Sequence, residues 1–369
     1  MKFSLDAVLL VKALRRVKGA MSKRVTMPIL GSVVIEARKG KVTFRATDLE
    51  TGVEITERGA VVEKHGVVVL PLDKALKLIR KLKGQVSLES GDAFATVIRC
   101  PDRKSKTTLA GHPVDEFPTL PSVLENSLEI DAGAFGTAVA TVLHATSKDE
   151  TRYNLNGVYI DAGSKKKSVQ VVATDGHRLA VADMGSIKLP WEGGIIVPLK
   201  GAKYLTDFLK GEDTVTIAHE KNALCVSGVS WVVSIRLIDG EYPDYKKVIP
   251  KKGGETLTAD QKEFSEALAT ANEMALERTR TVKLVLDGGL ELHTSNPDLG
   301  DSVVECPCEW SGTEARKLAF NGRYLTEAIA AVCDGRVRIE FAPDNAELSP
   351  IRISGSKKFP FAVVMPMRV

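Results

Sequence analysis

No stretch of the 369-residue sequence reaches the about 18 consecutive apolar residues that a membrane-spanning helix needs. The opening residues, Met1-Lys2-Phe3-Ser4-Leu5-Asp6, hold neither the apolar core nor the small-residue cleavage site of a secretion signal. The expected location is therefore the cytoplasm, with no membrane partner. Cysteine is scarce, odd in number and scattered: Cys100, Cys225, Cys306, Cys308 and Cys333. Cys306-Pro307-Cys308 is too tightly spaced for a zinc knuckle and has no second Cys or His pair nearby. Free thiols in a reducing compartment are expected, with no metal and no cofactor. The G-x-S-x-G elbow, the G-x-x-x-x-G-K-[ST] phosphate loop and the H-E-x-x-H helix are all missing. The polar run Gly163–Ser168 lacks the phosphate-loop spacing. Base-reading modules are missing too: no helix-turn-helix signal, no C₂H₂ spacing, no aromatic-rich RNA-binding strand.

What is present is an ordinary globular composition, 44% hydrophobic and 27% charged, long enough for two or three domains. Charge is unevenly spread. Residues 1–124 hold 22 Lys and Arg against 13 Asp and Glu, while the remainder holds 29 against 34. A basic first third on an acidic remainder points to a polyanion contacted unevenly.

The chain repeats itself three times, with a period of roughly 125 residues. Leu5-Asp6-Ala7 through Leu14, Ile130-Asp131-Ala132 through Val139, and Ala259-Asp260-Gln261 through Leu268 share a pattern. Each has Asp second, a large apolar residue sixth, Ala ninth and an aliphatic tenth. That reads as a short strand, an Asp N-cap and an amphipathic helix. Val68-Val69-Leu70-Pro71, Ile195-Ile196-Val197-Pro198 and Leu318-Ala319-Phe320-Asn321 form a second marker, a strand stopped by a helix-starting residue. Helices are expected to follow over Lys74–Lys83, Ala202–Lys210 and Tyr324–Val332, then a strand each time. Ala46-Thr47-Asp48 matches Ala173-Thr174-Asp175, with His293-Thr294-Ser295-Asn296 a degraded form; Glu116-Phe117-Pro118 matches Glu241-Tyr242-Pro243. The expected fold class is α+β, three domains of two helices backed by antiparallel sheets, spanning 1–124, 125–251 and 252–369. Boundaries fall in the polar, Pro- and Gly-bearing stretches Pro118–Asn126 and Pro250–Gly254.

The helices of the first unit are strongly basic. One carries Lys12, Arg15, Arg16 and Lys18, with Lys23 and Arg24 soon after; the other carries Lys74, Lys77, Arg80, Lys81 and Lys83. A solvated helix face is the plain explanation of such runs, but acidic residues for i,i+4 pairing are nearly absent. Contact with a nucleic-acid backbone, without sequence reading, is the functional one. Thr174-Asp175-Gly176-His177-Arg178 could be read as a catalytic base and its orienting group. Asp-Gly is also a common turn, and the matching Thr47-Asp48 has no His. A turn on a binding surface is the preferred reading, with no catalytic residues.

These segments resemble the beta subunit of bacterial DNA polymerase III, the sliding clamp, from end to end. The resemblance rests on Met27-Pro28-Ile29-Leu30, Thr47-Asp48-Leu49-Glu50, Arg152-Tyr153-Asn154-Leu155-Asn156-Gly157, the run Ala173–Ala180, Glu241-Tyr242-Pro243-Asp244-Tyr245 and, most specifically, Val363-Val364-Met365-Pro366-Met367-Arg368-Val369. It implies a head-to-tail homodimer whose six domains close a ring on double-stranded DNA. It also implies docking of DNA polymerase subunits and a clamp loader through short peptide motifs. Carried over by position, the peptide groove comprises Leu155, Thr174, Gly176, His177, Arg178, Leu179, Pro243, Lys247, Val248, Val363, Val364, Met365, Pro366, Met367 and Arg368. The resemblance assigns DNA contact to Arg24, Arg152, Tyr153, Lys200, Asn321 and Tyr324; Lys74, Lys77 and Arg80 join them from the basic second helix. The chain departs from the family's usual residues at Asp73, Thr107, Asn154, Lys247, Thr270 and Pro350. Two alternatives stay open: a protein of the same fold that docks DNA or polymerases without closing a ring, and an enzyme built on Asp175 and His177.

Overall fold

The computed structural model describes residues 1–21, 27–120, 126–163, 168–251, 253–343, 349–357 and 359–368. These form two compact units, Met1–Gly133 with Lys203–Leu237, and Ala134–Ala202 with Ile238–Val369. Six α-helices occur among the described residues: α1 (Ala7–Lys18), α2 (Leu72–Ile79), α3 (Ala132–Val142), α4 (Leu199–Leu209), α5 (Gln261–Glu273) and α6 (Gly322–Val332).

The repeat's sequence markers become helix starts. Asp6 accepts the amide of Val8 at 2.8 Å, and Asp260 accepts those of Lys262 and Glu263 at 2.8 and 3.1 Å. Asn321 does the same for α6, accepting Arg323 and Tyr324 at 3.1 and 3.3 Å. Each side chain satisfies amides that the first turn leaves without partners. Ala7, Leu10, Ala13, Leu14 and Val17 are buried along α1, and Leu325, Ala328, Ile329 and Val332 along α6. This is the i, i+3, i+4 stripe of a helix resting on a sheet. The helix expected over Lys74–Lys83 is shorter. It spans Leu72–Ile79, after which Lys81 and Leu82 bond back only three residues and Gly84 adopts φ +71°. Arg80, Lys81 and Lys83 therefore follow the helix on a tight turn. The other two expected helices start earlier, at Leu199 and Gly322.

Both units use one antiparallel plan. In the first, five strands run in the order 61–64, 2–6, 85–90, 96–100, 105–109. Eight more run 128–131, 214–220, 223–227, 231–236, 51–58, 41–47, 32–38, 66–71. In the second, four strands run 300–306, 290–296, 281–286, 316–321. Nine run 194–198, 157–161, 170–174, 178–183, 361–364, 351–354, 336–340, 256–260, 309–310. The long sheets are joins. Trp231–Arg236 pairs with Thr51–Arg58, Ser234 opposite Gly52; Phe361–Val364 pairs with Arg178–Asp183, Val363 opposite Leu179. Each join links the closing strand of one repeat to the fourth strand of the repeat before it. An apolar core cluster of the second unit runs from Leu257 and Phe264 to Ile353 and Val364.

Three isolated bridges repeat as well: Val69 with His112, Ile196 with Ile238, and Ala319 with Met367. In each repeat the segment leaving the last strand returns to the strand that precedes the second helix. The C-terminal Met365-Pro366-Met367 is thus the counterpart of the two inter-repeat linkers.

Candidate functional site: a seam groove and basic helices

The Thr-Asp motif is a braced turn. Thr174 Oγ1 donates to Arg178 O at 2.6 Å and accepts Gly176 N at 3.1 Å. Asp175 Oδ1 accepts His177 N and Arg178 N at 2.9 and 3.1 Å. The first repeat has the same set: Thr47 Oγ1 to Thr51 O at 3.0 Å, and Asp48 Oδ1 accepting Glu50 N and Thr51 N at 3.1 and 2.8 Å. The turn needs a positive φ at its third position, +88° at Gly176 and +78° at Leu49. Asp175 is occupied by backbone amides and by Arg178 Nε at 3.0 Å, not by the exposed His177 ring. The geometry of a base with its orienting carboxylate is not formed.

Arg178 is the polar centre of this region. Its guanidinium is 9% exposed, bonds Asp175 and Glu327, and lies 4.3 Å from the centroid of the Tyr324 ring. Glu327 is also held by Arg323 Nε at 2.8 Å. Burial alone would raise the Glu327 pKa, but the two arginines hold it below the usual carboxylate range. His144, mostly buried, is held below the usual imidazole range first by burial and then by Arg178. Arg178 and Tyr324, expected at the groove and at DNA respectively, thus meet in one ion-pair and ring contact within the second unit.

The groove residues divide into floor and rim. Leu155, Leu179 and Val363 are buried in a cluster with Val172, Val181, Ile196, Phe361 and the rings of Tyr242 and Tyr245. Thr174 is buried too, and Val364 is buried in the other core cluster, with Leu257 and Phe264. Gly176, His177, Pro243, Lys247, Val248 and Arg368 are exposed, and Met365, Pro366 and Met367 are half-buried. The tail is tied at two points: Met365 N donates to His177 O at 2.9 Å, and Met367 N to Ala319 O at 2.7 Å. Val248, Ile249, Pro250, Pro343, Pro350 and Met365 line a cavity of about 410 Å³. Ile249, Pro250 and Pro343 are not among the groove residues expected from the sequence. Nor is the aromatic support, Tyr159 stacked on Tyr242 at 4.4 Å and Tyr245 Oη bonded to Asp161 and Gln170 at 2.9 and 2.7 Å, although Tyr242 and Tyr245 stand in the Glu241–Tyr245 run. The Glu-aromatic-Pro marker was their available signal.

Among the positions expected at DNA, Lys74, Lys77 and Arg80 are exposed on α2 and the turn after it. They form no ion pair among the described residues. Lys12 and Arg15 are exposed on α1, which packs against α2; Lys18 pairs with Asp73 at 2.6 Å, and Arg16 rests on the Phe208 ring at 4.3 Å. Tyr153 is 58% exposed, Arg152 pairs with Asp149 at 3.2 Å, and Lys200 is exposed. The Asn321 side chain is engaged as the cap of α6. Arg24 lies outside the described residues, as does Val369.

Three domain families match the chain: the N-terminal domain of the DNA polymerase III beta subunit over 1–121, its central domain over 129–244 and its C-terminal domain over 246–368. The chain belongs to the DNA polymerase III beta subunit family. Its function is that of a sliding clamp, a non-catalytic processivity factor. Among relatives, the beta sliding clamp of Caulobacter vibrioides is 30% identical over 384 residues, and that of Escherichia coli strain K12 28% over 375, with both chains covered in full. Among solved structures, the sliding clamp from Bartonella birtlesii bound to griselimycin superposes with a TM-score of 0.92 at 29% identity, covering both chains fully. The beta subunit from Thermotoga maritima gives 0.88 at 27%, covering 100% of this chain and 99% of that one.

Several departures from the family's usual residues have local partners. Asp73 takes Lys18, Asn154 Nδ2 donates to Glu241 O at 2.8 Å, and Thr270 Oγ1 donates to Glu266 O at 3.0 Å. Lys247 pairs with Asp244 at 3.4 Å.

Proposed function

We propose that two copies of this chain close head to tail around duplex DNA and hold DNA polymerase subunits and a clamp loader through the Leu155–Met365 groove. One observation carries the reading. Each join pairs the closing strand of a repeat with the fourth strand of the repeat before it, and the chain makes two such joins. The two strands left over are the closing strand of the first repeat, Ser105–Leu109, and the fourth strand of the last, Gly300–Cys306, each ending its sheet. A second copy supplies each with its missing neighbour, and two such contacts close a ring with those edges paired. Their charges are opposite: Arg103, Lys104 and Lys106 at one, Asp298, Asp301 and Glu305 at the other, all exposed.

The repeat boundaries follow at 1–124, 125–251 and 252–369. The exposed cations of α1 and α2, with Arg24, Arg152, Tyr153, Lys200, Asn321 and Tyr324, are assigned to phosphate contact, which holds DNA without reading it. No helix among the described residues is long and apolar enough to cross a membrane, and we place the protein in the cytoplasm, where its thiols stay reduced. The groove suits short peptides: a buried Leu and Val floor, a Pro and Val rim, and the adaptable thioether of Met365.

The test is retention on DNA after loading by a clamp loader. A closed ring stays on circular DNA and slides off after linearisation; equal retention on both forms would refute encirclement. The groove is tested separately with Met365→Ala and with deletion of 367–369. Each is expected to keep the fold and dimer while weakening a fluorescent peptide containing one glutamine and two leucines, the alanine change by about 1–3 kcal/mol. Unchanged affinity by anisotropy would move the partner surface elsewhere.

A further inference from the structure

The first seam repeats the architecture of the second. Thr47 bonds Thr51 O as Thr174 bonds Arg178 O, so Gly52 stands where Leu179 stands. Ser234, opposite Gly52, then stands where Val363 stands. The linker matches too, with Phe117-Pro118 in the place of Tyr242-Pro243, and Phe117 packs on Ile29, Leu30, Val34 and Val69. What differs is the source of the apolar floor. A Cβ at Gly52 would lie 2.6 Å from Leu120 Cδ2 and 2.6 Å from Ser234 Oγ. Leu120, brought in by the linker, thus fills the space beside the strand where Leu179 carries its own side chain.

The seam is not closed by this substitution. A cavity of about 470 Å³ remains, walled by Val67, Val114, Phe117, Leu120 and Val232. Its polar side is a chain of ion pairs in which Glu36 and Glu54 flank Arg45, at 2.8 and 2.6 Å. Glu36 also pairs with Arg38, which lines the cavity, so two carboxylates meet two guanidiniums and the cavity offers apolar contact with no net charge to repel a peptide.

We propose that this first seam is a second docking groove, taking short peptides with apolar anchors of the class assigned to the Leu155–Met365 groove; the inference rests on that assignment. It is the weaker site, because exposed side chains at its edge, Val114 among them, lose rotamer freedom when the peptide binds, a cost of about ten-fold in affinity.

The experiment titrates the full-length protein calorimetrically with the peptide of one glutamine and two leucines. Three proteins are compared: the wild type, Met365→Ala, and Val114→Asp, which changes an exposed linker residue outside every strand. Amide exchange of each free protein verifies folding. Two sites per protomer are expected in the wild type, the weaker surviving Met365→Ala and the stronger surviving Val114→Asp. A single site abolished by Met365→Ala overturns the second groove and leaves the first assignment intact. A single site indifferent to Met365→Ala but lost in Val114→Asp overturns the first assignment and keeps this one. Binding indifferent to both variants, or no binding at all, overturns both.

Discussion

Removing the Arg178 guanidinium leaves two carboxylates facing each other across a space built for a cation. Glu327, 29% exposed, loses one of its two arginines, and Asp175 loses the one cation paired with it among the described residues. The Tyr324 ring loses the cation above it. Breaking a buried pair by deleting one partner costs about 3–5 kcal/mol, chiefly from the charge left behind. Arg178→Ala should fall near about 3 kcal/mol, because Arg323 still partly neutralises Glu327. Adding Glu327→Ala should recover part of the loss, since the orphaned carboxylate is gone. Acid should reduce the difference between wild type and Arg178→Ala. The folded-state pKa of Glu327 is lowered, so its contribution is complete above the unfolded value of about 4.3 and fades as pH falls through the folded one. The suitable assay is amide exchange at Leu179 and Ala180, whose strand pairs with Val363 and Ala362, because a two-unit chain gives no single unfolding free energy. A loss below about 0.5 kcal/mol, of the size usual at plain surface sites, would refute the view that Arg178 fixes this turn. So would an equal cost for Glu327→Ala with and without Arg178.

At the proposed dimer contact, Lys106→Glu should weaken self-association several-fold at low salt, and Glu305→Lys in the same chain should restore part of it, read by sedimentation. Exposed pairs contribute about 0.2–1 kcal/mol each and are screened over about 8–10 Å at moderate salt; a low-salt monomer at micromolar concentration would sink the ring. On DNA, neutralising Lys74, Lys77 and Arg80 together should lower affinity and flatten the log–log salt slope by about 0.9 for each phosphate that no longer meets a cation. Sequence preference should stay absent, and its appearance in the unmodified protein would overturn backbone tracking.

The threefold plan was legible because its markers are local and chemical. A helix start needs an oxygen that accepts free amides, which Asp6, Asp260 and Asn321 supply, and a braced turn needs a hydroxyl and a carboxylate in sequence. The joins were not legible. Which strand pairs with which depends on edges more than a hundred residues apart, Thr51–Arg58 with Trp231–Arg236 for one. The same limit explains the two compact units, which cut through the middle repeat: its two halves each complete a sheet begun by a neighbour.

The positions carried over to the proposed groove lie together in the second unit, but their sequence could not separate buried ones from exposed ones. Leu155 and Val363 are buried while Pro243 and Val248 are exposed, and nothing in their spacing distinguishes them. Arg178 is the sharper case. In sequence it stands between an exposed His and a buried Leu, which suits a rim cation. In space its guanidinium turns into the second unit, where Glu327, 149 residues away, binds it. A charge near a binding surface can act by touching the ligand or by fixing the backbone that does. Arg178 has its backbone carbonyl on Thr174, its amide on Asp175 and its side chain on α6, so it meets the conditions for the second role. Weaker peptide binding in Arg178→Ala would therefore be expected only to the extent that the Thr174–Arg178 turn loosens, and any salt-dependent part of peptide affinity would fall to the exposed Lys247 and Arg368.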